Sequence, residues 1–189
     1  MCHHFTLPPL KQIQHYLVND LQLPLIEPTL PVMPQEIFPK KLAPILLYQH
    51  QQLQLVAKSW GYPNPYHPQQ VLFNARAERF FESRPSMWDQ SFARQRCIII
   101  AKNFYETDQH KQGYRFASPN QPLTLIAGIY DGDHFAMVTT EPNQTMAPIH
   151  NRMPLILEPS ELRCWLFQNF TNLLDRSDTP LDKEQLPPK

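Results

Sequence analysis

Cys97-Ile98-Ile99-Ile100 places four apolar residues in succession, three of them β-branched, and this stretch decides the fold. A short apolar run of this composition is typical of a strand with both faces buried. Good helix formers precede it on either side of Pro85 and predict two short helices, over 74–82 and 87–96. We therefore expect two short helices that lead into a core strand.

The chain on both sides of this run carries further strand patterns. Residues 42–48 and 53–60 look like a hairpin that turns at His50-Gln51-Gln52. Apolar runs with turn residues between them predict more strands at 114–117, 123–130, 135–140 and 153–157. The central part of the chain is thus predicted to be rich in β-strands.

Helices are predicted nearer the two ends of the chain. Apolar residues recur at helical spacing from Leu10 to Leu21, and Ser160 can cap a helix over 161–169. The polar tail at about 178–189 is expected to be frayed. Strands with helices inserted between them predict a single α+β domain over 1–189, with a curved, mostly antiparallel sheet or barrel-like core and short helices.

The composition limits the classes of function. Lys and Arg balance Asp and Glu at 17 each, so contact with DNA requires a local basic surface. No secretory signal is visible, and no run approaches the roughly 20 apolar residues of a membrane span. Three cysteines without C-x-x-C spacing indicate neither a disulfide framework nor a zinc knuckle, so we expect a cytoplasmic protein.

Cys2 is the first candidate for chemistry. Removal of Met1 would leave an α-amine and a thiol on one residue, which is a 1,2-aminothiol. Such a pair traps aldehydes, because the amine forms a Schiff base and the adjacent thiolate closes a five-membered thiazolidine ring. An α-amine titrates near pKa ~8 and a thiol near ~8.5, so the reaction is feasible near neutral pH. The alternative is an incidental cysteine on a mobile terminus.

Four other polar residues have a functional interpretation, and three of them also have a structural one. Asn74 opens a predicted helix, where it can be an N-cap or can orient a reacting group, and Arg76 can meet a phosphate. Glu106 follows an apolar run, where its carboxylate can be desolvated for acid–base work or can lie exposed at a strand end. His150 can shuttle protons near neutral pH or serve only as a structural residue.

Aromatic residues and histidines leave further alternatives open. The segment 60–66 holds Trp60 and two tyrosines in a loop stiffened by prolines, and these rings can stack against bases or pack under the loop. Cys2, His3, His4 and His150 could supply metal ligands, but adjacent histidines at a terminus lack the fixed spacing of a structural zinc site. Metal binding is therefore not expected.

Short strings spread over most of the chain support a more specific interpretation. They are Met1-Cys2, Trp60-Gly61-x-Pro63, Asn74-Ala75-Arg76-x-Glu78, Arg96-Cys97, Phe104-Tyr105-Glu106, Ala127-Gly128, Thr139-Thr140 and Ile149-His150-x-Arg152-Met153-Pro154. In order and spacing they resemble the SRAP family, the SOS response-associated peptidases. The resemblance implies a compact, β-rich α+β domain with a positively charged groove for single-stranded DNA.

The resemblance also implies a chemistry. Cys2 is expected to be the nucleophile and crosslinking residue, which forms a thiazolidine with an abasic site after the protein removes its own Met1. Asn74 would hold the reacting terminus or the opened sugar. Glu106 would shuttle protons during methionine removal and ring opening, and His150 would act as acid and base in Schiff-base chemistry and crosslink reversal. A lyase activity is a further expectation.

The implied partner is single-stranded DNA that contains abasic sites. Arg76 and Arg84 would contact phosphates, and Trp60 with its loop would border the groove and disturb base stacking. No cofactor and no membrane are implied, and we expect a monomer that associates with the nucleoid when bound to DNA.

Several positions depart from the family pattern. His3-His4 stand where the family usually continues Gly-Arg after the cysteine, and Asn103, Thr107 and Ala101 replace the usual Gly, Trp and Pro around Phe104-Tyr105-Glu106. Two other functions remain open: a thiol peptidase that acts on other proteins, with Cys2 as nucleophile, and a noncatalytic module that binds single-stranded or modified DNA.

Overall fold

The computed structural model describes residues 2–26 and 28–187. Its strands, in chain order, are β1 (Phe5–Thr6), β2 (Glu36–Ile37), β3 (Leu42–Gln49), β4 (Gln52–Trp60), β5 (Tyr62–Pro63), β6 (Val71–Leu72), β7 (Asn74–Arg76), β8 (Arg96–Ala101), β9 (Asn103–Thr107), β10 (Gly113–Ala117), β11 (Thr124–Asp131), β12 (His134–Thr140), β13 (Met153–Pro154), β14 (Ile156–Leu157) and β15 (Asp182–Gln185).

The helical segments are all short. The α-helices are α1 (Leu10–His15), α2 (Asp89–Arg94) and α3 (Leu162–Phe167). A π-helical turn continues α1, and 3₁₀ turns occupy Ala77–Phe81, Pro159–Glu161 and Thr171–Leu173. Within the described residues, none of these helices is long and apolar enough to cross a membrane.

The larger sheet closes on itself. Its strands follow the order β13-β12-β4-β3-β8-β11-β14, and β12 also pairs with β11. The strands β12, β4, β3, β8 and β11 thus form a ring of neighbours, which pair antiparallel except between β4 and β12. This ring confirms the predicted barrel-like core of a single α+β domain.

The isoleucine run lies at the centre of this ring, in β8. It pairs with β3 on one side and β11 on the other, and its apolar residues are completely buried. Because side chains alternate between the faces of a strand, Ile98 and Ile100 pack into one apolar cluster while Cys97 and Ile99 pack into another. The helices α2 and α3 cover the first cluster, and Cys2 belongs to the second.

The smaller sheet holds the start of the chain. Its order is β15-β10-β9-β1-β2, so β1 has antiparallel neighbours on both sides. Phe5 pairs with Ile37 of β2 and with Phe104 of β9, and all three side chains are completely buried. Cys2 therefore enters its cluster immediately ahead of a paired and buried strand.

The predicted helix over 74–82 is wrong in its first part. Asn74–Arg76 forms β7, which pairs in parallel with Met137–Thr139 of β12, and only Ala77–Phe81 is helical, as a 3₁₀ turn. Pairing with β12 and the complete burial of Ala75 override the local helix propensity. Asn74 is consequently a strand residue and not an N-cap. The second predicted helix is shorter than expected, since α2 ends at Arg94.

Two expectations near the C-terminus also differ from the structure. The predicted tail is not frayed over Asp182–Gln185, because β15 pairs with β10 and Glu184 forms an ion pair with Arg115. Residues 188 and 189 of that tail lie outside the described part. The helix expected over 161–169 is present as α3, but Ser160 does not cap it. A capping box of Glu158 and Glu161 begins the 3₁₀ turn Pro159–Glu161 that leads into α3, and α3 itself has no side-chain cap.

We expect Gly128→Ala to destabilise the protein by about 1–3 kcal/mol, because an added methyl group overpacks the barrel interior. A Cβ at Gly128 would lie 2.8 Å from Cys97 Sγ and 3.2 Å from Ile99 Cδ1. Chemical denaturation measures the free energy of unfolding. Gly113→Ala is the control, since its Cβ would meet only the flexible Leu186 side chain, at 3.3 Å. Equal stability of the two variants would contradict this packing.

Candidate active site around Cys2

Cys2 lies at the edge of the barrel interior and is only 1% exposed. Its carbonyl oxygen accepts a 2.8 Å hydrogen bond from Nδ2 of Asn74. Asn74 can reach it because β7 is fixed against β12 in parallel register. The structure thus brings together two residues that are far apart in sequence.

The Cys2 thiol is held in a protonated form. Burial, followed by the negative charge of Glu106, raises its pKa to about 12. Backbone hydrogen bonds with His4 and Tyr105 act in the opposite direction but do not outweigh burial. The Sγ atom lies 3.5 Å from the His4 carbonyl oxygen, which accepts its hydrogen. Near neutral pH the thiol therefore needs a base, or a change of environment, before it can act as a nucleophile.

Glu106 is the nearby carboxylate. It lies in β9, which pairs with β1, and it is only 3% exposed. The interpretation as an exposed strand-end residue is therefore wrong. Because its charge adds to the rise in the pKa of the Cys2 thiol, this buried carboxylate is a candidate proton acceptor and donor for that thiol.

His150 lies in the turn that precedes β13. Its Nδ1 accepts a hydrogen bond from the Arg152 backbone N–H at 3.0 Å, so the neutral ring carries its proton on Nε2. The neighbouring Met146 and Ile149 belong to the same apolar cluster as Cys2. His150 is half-buried.

Arg152 and Glu78 join the His150 turn to the segment that carries Asn74, and sequence reasoning assigned them no role. The Arg152 guanidinium donates to both carboxylate oxygens of Glu78, at 3.0 and 2.7 Å, and to the Thr139 carbonyl oxygen at 2.7 Å. A bidentate pair of this kind fixes orientation as well as distance. The only sequence signal for it was the presence of both residues in the quoted motifs.

The residues expected to bind DNA differ in their exposure. Arg76 at the end of β7 and Arg84 beyond the 3₁₀ turn are both exposed and can meet phosphates. Trp60 is completely buried, with its Nε1–H bonded to the Phe73 carbonyl oxygen at 2.9 Å, so it cannot stack on a base as predicted. It ends β4, and strand alternation turns it into the core. Tyr66, at 85% exposure, is the accessible aromatic residue of that loop.

No set of three His, Cys, Asp or Glu side chains within residues 2–26 and 28–187 is arranged to hold a metal ion. His4, one of the residues considered as a ligand, has a different environment. Its ring is stacked between Phe38 and Tyr105, with centroid distances of 4.3 and 4.2 Å, and it pairs with Glu36.

The barrel is built from a mixed sheet and buries the cysteine at the start of the chain. An amide bonds the carbonyl oxygen of that cysteine, and a buried carboxylate contributes to the raised pKa of its thiol. These features define a class of protein whose candidate site lies at an N-terminal cysteine. The chain belongs to the SOS response associated peptidase (SRAP) family, whose model matches residues 1–186. This confirms the resemblance noted from the short sequence strings.

Individual proteins show the same relationship. The chain is 28% identical over 162 residues to the abasic site processing protein YedK of Escherichia coli. The matched region covers 77% of this chain and 72% of that protein. It is 34% identical over 108 residues to YoaM of Bacillus subtilis, also named an abasic site processing protein, with coverage of 50% and 47%. The chain thus spans about half the length of the Bacillus relative.

The solved structures support the fold. A crystal structure of a Bordetella bronchiseptica protein superposes with a TM-score of 0.79 at 20% identity and covers 98% of this chain and 100% of its own. A protein from Bacteroides thetaiotaomicron superposes with a TM-score of 0.75 at 19% identity, with coverage of 98% and 92%. At these identities the likeness establishes the shared architecture.

We expect Arg152→Met to lower the free energy of unfolding by about 1–3 kcal/mol, because the buried Thr139 carbonyl loses its donor. The matched control is Arg115→Met, which removes the exposed ion pair with Glu184 and is expected to cost about 0–1 kcal/mol. The Arg152 side chain is 10% exposed, against 42% for Arg115. Equal losses in urea denaturation would show that the Arg152 contacts do not hold the turn.

We expect iodoacetamide at pH 8 to label Cys164 well before Cys2 in the native protein. The thiolate is the reactive form, and the pKa of the buried Cys2 is raised to about 12, whereas Cys164 is partly exposed. Peptide mass mapping over time gives the two rates, and labelling in urea should reach all three cysteines. Labelling of Cys2 as fast as Cys164 in the native state would contradict the buried site.

Proposed function

We propose that the protein senses abasic sites in single-stranded DNA and forms a covalent crosslink to them through Cys2, once Met1 has been removed. The observation that carries the proposal is that both the main chain and the side chain of residue 2 are held in place. Asn74 holds its carbonyl oxygen at 2.8 Å, while its thiol is buried beside Glu106. A mobile terminus would show neither contact. Met1 itself lies outside the described residues.

The crosslink balances without a cofactor. The Cys2 α-amine attacks the aldehyde carbon of the opened sugar, and loss of one water gives an iminium ion. The thiol sulfur then adds to the same carbon, its proton leaves to a base, and the nitrogen becomes a neutral ring amine. The net reaction joins an aldehyde and an aminothiol into a thiazolidine with release of water and a proton balance of zero. The short tether between nitrogen and sulfur favours ring closure.

The neighbouring side chains suit these steps. Asn74 holds the main chain of residue 2 so that its amine faces a fixed direction. Glu106 takes the thiol proton and returns one during ring opening, which addresses the raised pKa of the Cys2 thiol. His150, with its proton on Nε2, donates to the carbinolamine oxygen as water leaves and takes the proton back during reversal.

Removal of Met1 is a hydrolysis that the same groups can assist. Water adds to the Met1 carbonyl carbon, the bond to the Cys2 nitrogen breaks, and that nitrogen takes a proton as the free amine. We assign this proton transfer to Glu106, the buried carboxylate whose charge affects Cys2. The Schiff base also acidifies the adjacent sugar carbon, which would permit β-elimination of the 3′-phosphate and so account for a lyase activity.

Exposed basic residues would bind the DNA phosphates. Arg76 lies at the end of the strand that carries Asn74, and Arg84 lies beyond the following turn. Contacts of this kind neutralise phosphates and make binding sensitive to salt. Since the chain has no net positive charge, this local surface has to supply the attraction. The names of the Escherichia coli and Bacillus subtilis relatives support abasic DNA as the substrate.

A thiol peptidase that acts on other proteins is less well supported. Its nucleophile has to meet an incoming peptide as a thiolate, but the Cys2 thiol is buried and its pKa is raised to about 12. A terminus held in this way suits chemistry on its own amine.

We expect Cys2→Ala to abolish a slow-migrating adduct between the protein and a single-stranded oligonucleotide that carries one abasic site. Denaturing gels show the adduct, and intact mass first confirms that Met1 is absent. Cys164→Ala is the matched control and should crosslink at the wild-type rate, since Cys164 lies outside the Cys2 cluster. An oligonucleotide with a tetrahydrofuran analogue should give no adduct, because it lacks the aldehyde.

The proposal fails if wild-type protein without Met1 gives no adduct, or if the adduct persists in Cys2→Ala. Salt-sensitive binding without an adduct would identify a noncatalytic module that binds single-stranded DNA.

A further inference from the structure

The outer face of the smaller sheet carries a stack of three rings at the chain start. His4 immediately precedes β1, and continuation of the β1 register places it between Phe38 beyond β2 and Tyr105 of β9. Its ring lies nearly parallel to both neighbours, at 12° and 13°, with centroid distances of 4.3 and 4.2 Å. Rings at these separations attract one another beyond the effect of buried area.

Glu36 holds the His4 ring at its edge, in addition to the contacts on its two faces. Its carboxylate pairs with His4 Nε2 at the edge of the ring, so the imidazole cannot rotate within the stack. Glu36 lies in β2, Phe38 is the residue after β2, and Tyr105 lies in β9. The His4 side chain is therefore held on both faces and on one edge.

The main chain of the same residue holds the Cys2 thiol. The His4 carbonyl oxygen accepts the Tyr105 backbone N–H at 3.0 Å and also accepts from Cys2 Sγ at 3.5 Å. A shift of residue 4 would therefore move the thiol relative to Glu106 on β9.

We propose that His4 is a positioning residue: its ring, clamped by Phe38, Tyr105 and Glu36, holds residue 2 in the geometry that crosslinking requires. This inference rests on the proposed function. Reaction rates fall steeply when a reacting group is misplaced by about 1 Å, so a clamp two residues away is sufficient to control the rate. The stack does not touch DNA phosphate or sugar in this account, and it acts only through residue 2.

The first experiment follows Cys2 without DNA. His4→Ala should increase the rate at which iodoacetamide labels native Cys2 by at least about tenfold, because a released chain start exposes the thiol. His15→Ala is the matched control, since His15 is another histidine near a carboxylate, 3.8 Å from Asp20, but on the exposed surface of α1. An unchanged labelling rate in folded His4→Ala overturns the inference, whatever the crosslinking result.

The second experiment measures crosslinking at saturating abasic single-stranded DNA. The rate of adduct formation should fall at least about tenfold in His4→Ala, while the DNA concentration for half-maximal rate stays within about twofold of the wild type. His4→Phe should recover part of the rate because it restores the ring stack but not the pair with Glu36. A merely structural role predicts loss of folded protein instead, with neither this split nor this rescue.

The outcomes separate the two proposals. Faster Cys2 labelling in His4→Ala, together with a wild-type protein that forms no adduct, supports the positioning role and rejects crosslinking. Normal wild-type crosslinking with His4→Ala equally fast rejects the positioning role alone. If His4→Ala does not fold, Glu36→Gln and Phe38→Leu take its place, and each should show a smaller change in the same direction.

Discussion

The start of the chain is held inside the fold by main-chain pairing on both sides, and the proposed site depends on this constraint. β1 lies between β2 and β9, and Phe5 is completely buried at its centre. Strand pairing satisfies the backbone groups that burial would otherwise leave without partners. As a consequence, Cys2 lies in the apolar cluster that also contains Cys97 and Ile99. Asn74 of β7 bonds its carbonyl oxygen there, and the charge of Glu106 of β9 affects its thiol.

This burial has an electrostatic consequence. A thiol next to a buried carboxylate stays protonated, and Cys2 accordingly has a pKa raised to about 12. Such a site should react slowly with general electrophiles, and in the proposed reaction it responds once an aldehyde has condensed with the amine of the same residue. Glu106, whose charge adds to the effect of burial on this pKa, is then the candidate base. The arrangement favours reaction with one kind of partner over nonspecific alkylation.

The sequence predicted the parts of this fold that depend on local composition. The isoleucine run, the hairpin of β3 and β4 and the later strands were all recognisable from apolar patterns, and Cys2 was recognisable from its chemistry. Asn74 was assigned to a helix, because its pairing partner β12 lies about sixty residues further along the chain and leaves no local signal. Trp60 was expected to border the DNA groove, whereas the alternation of β4 directs its side chain into the core. The β15 pairing, the Arg152–Glu78 contact and the stack around His4 all join distant segments, which no single-sequence pattern specifies.

Tandem mass spectrometry of a nuclease-trimmed crosslinked peptide identifies the atoms that join protein to DNA. We expect a peptide that begins at residue 2 and lacks Met1. Its mass should be the sum of peptide and abasic nucleotide minus one water, with both its amine and its thiol blocked. Attachment at any other residue, or a crosslinked peptide that still carries Met1, would contradict the proposed crosslink through Cys2.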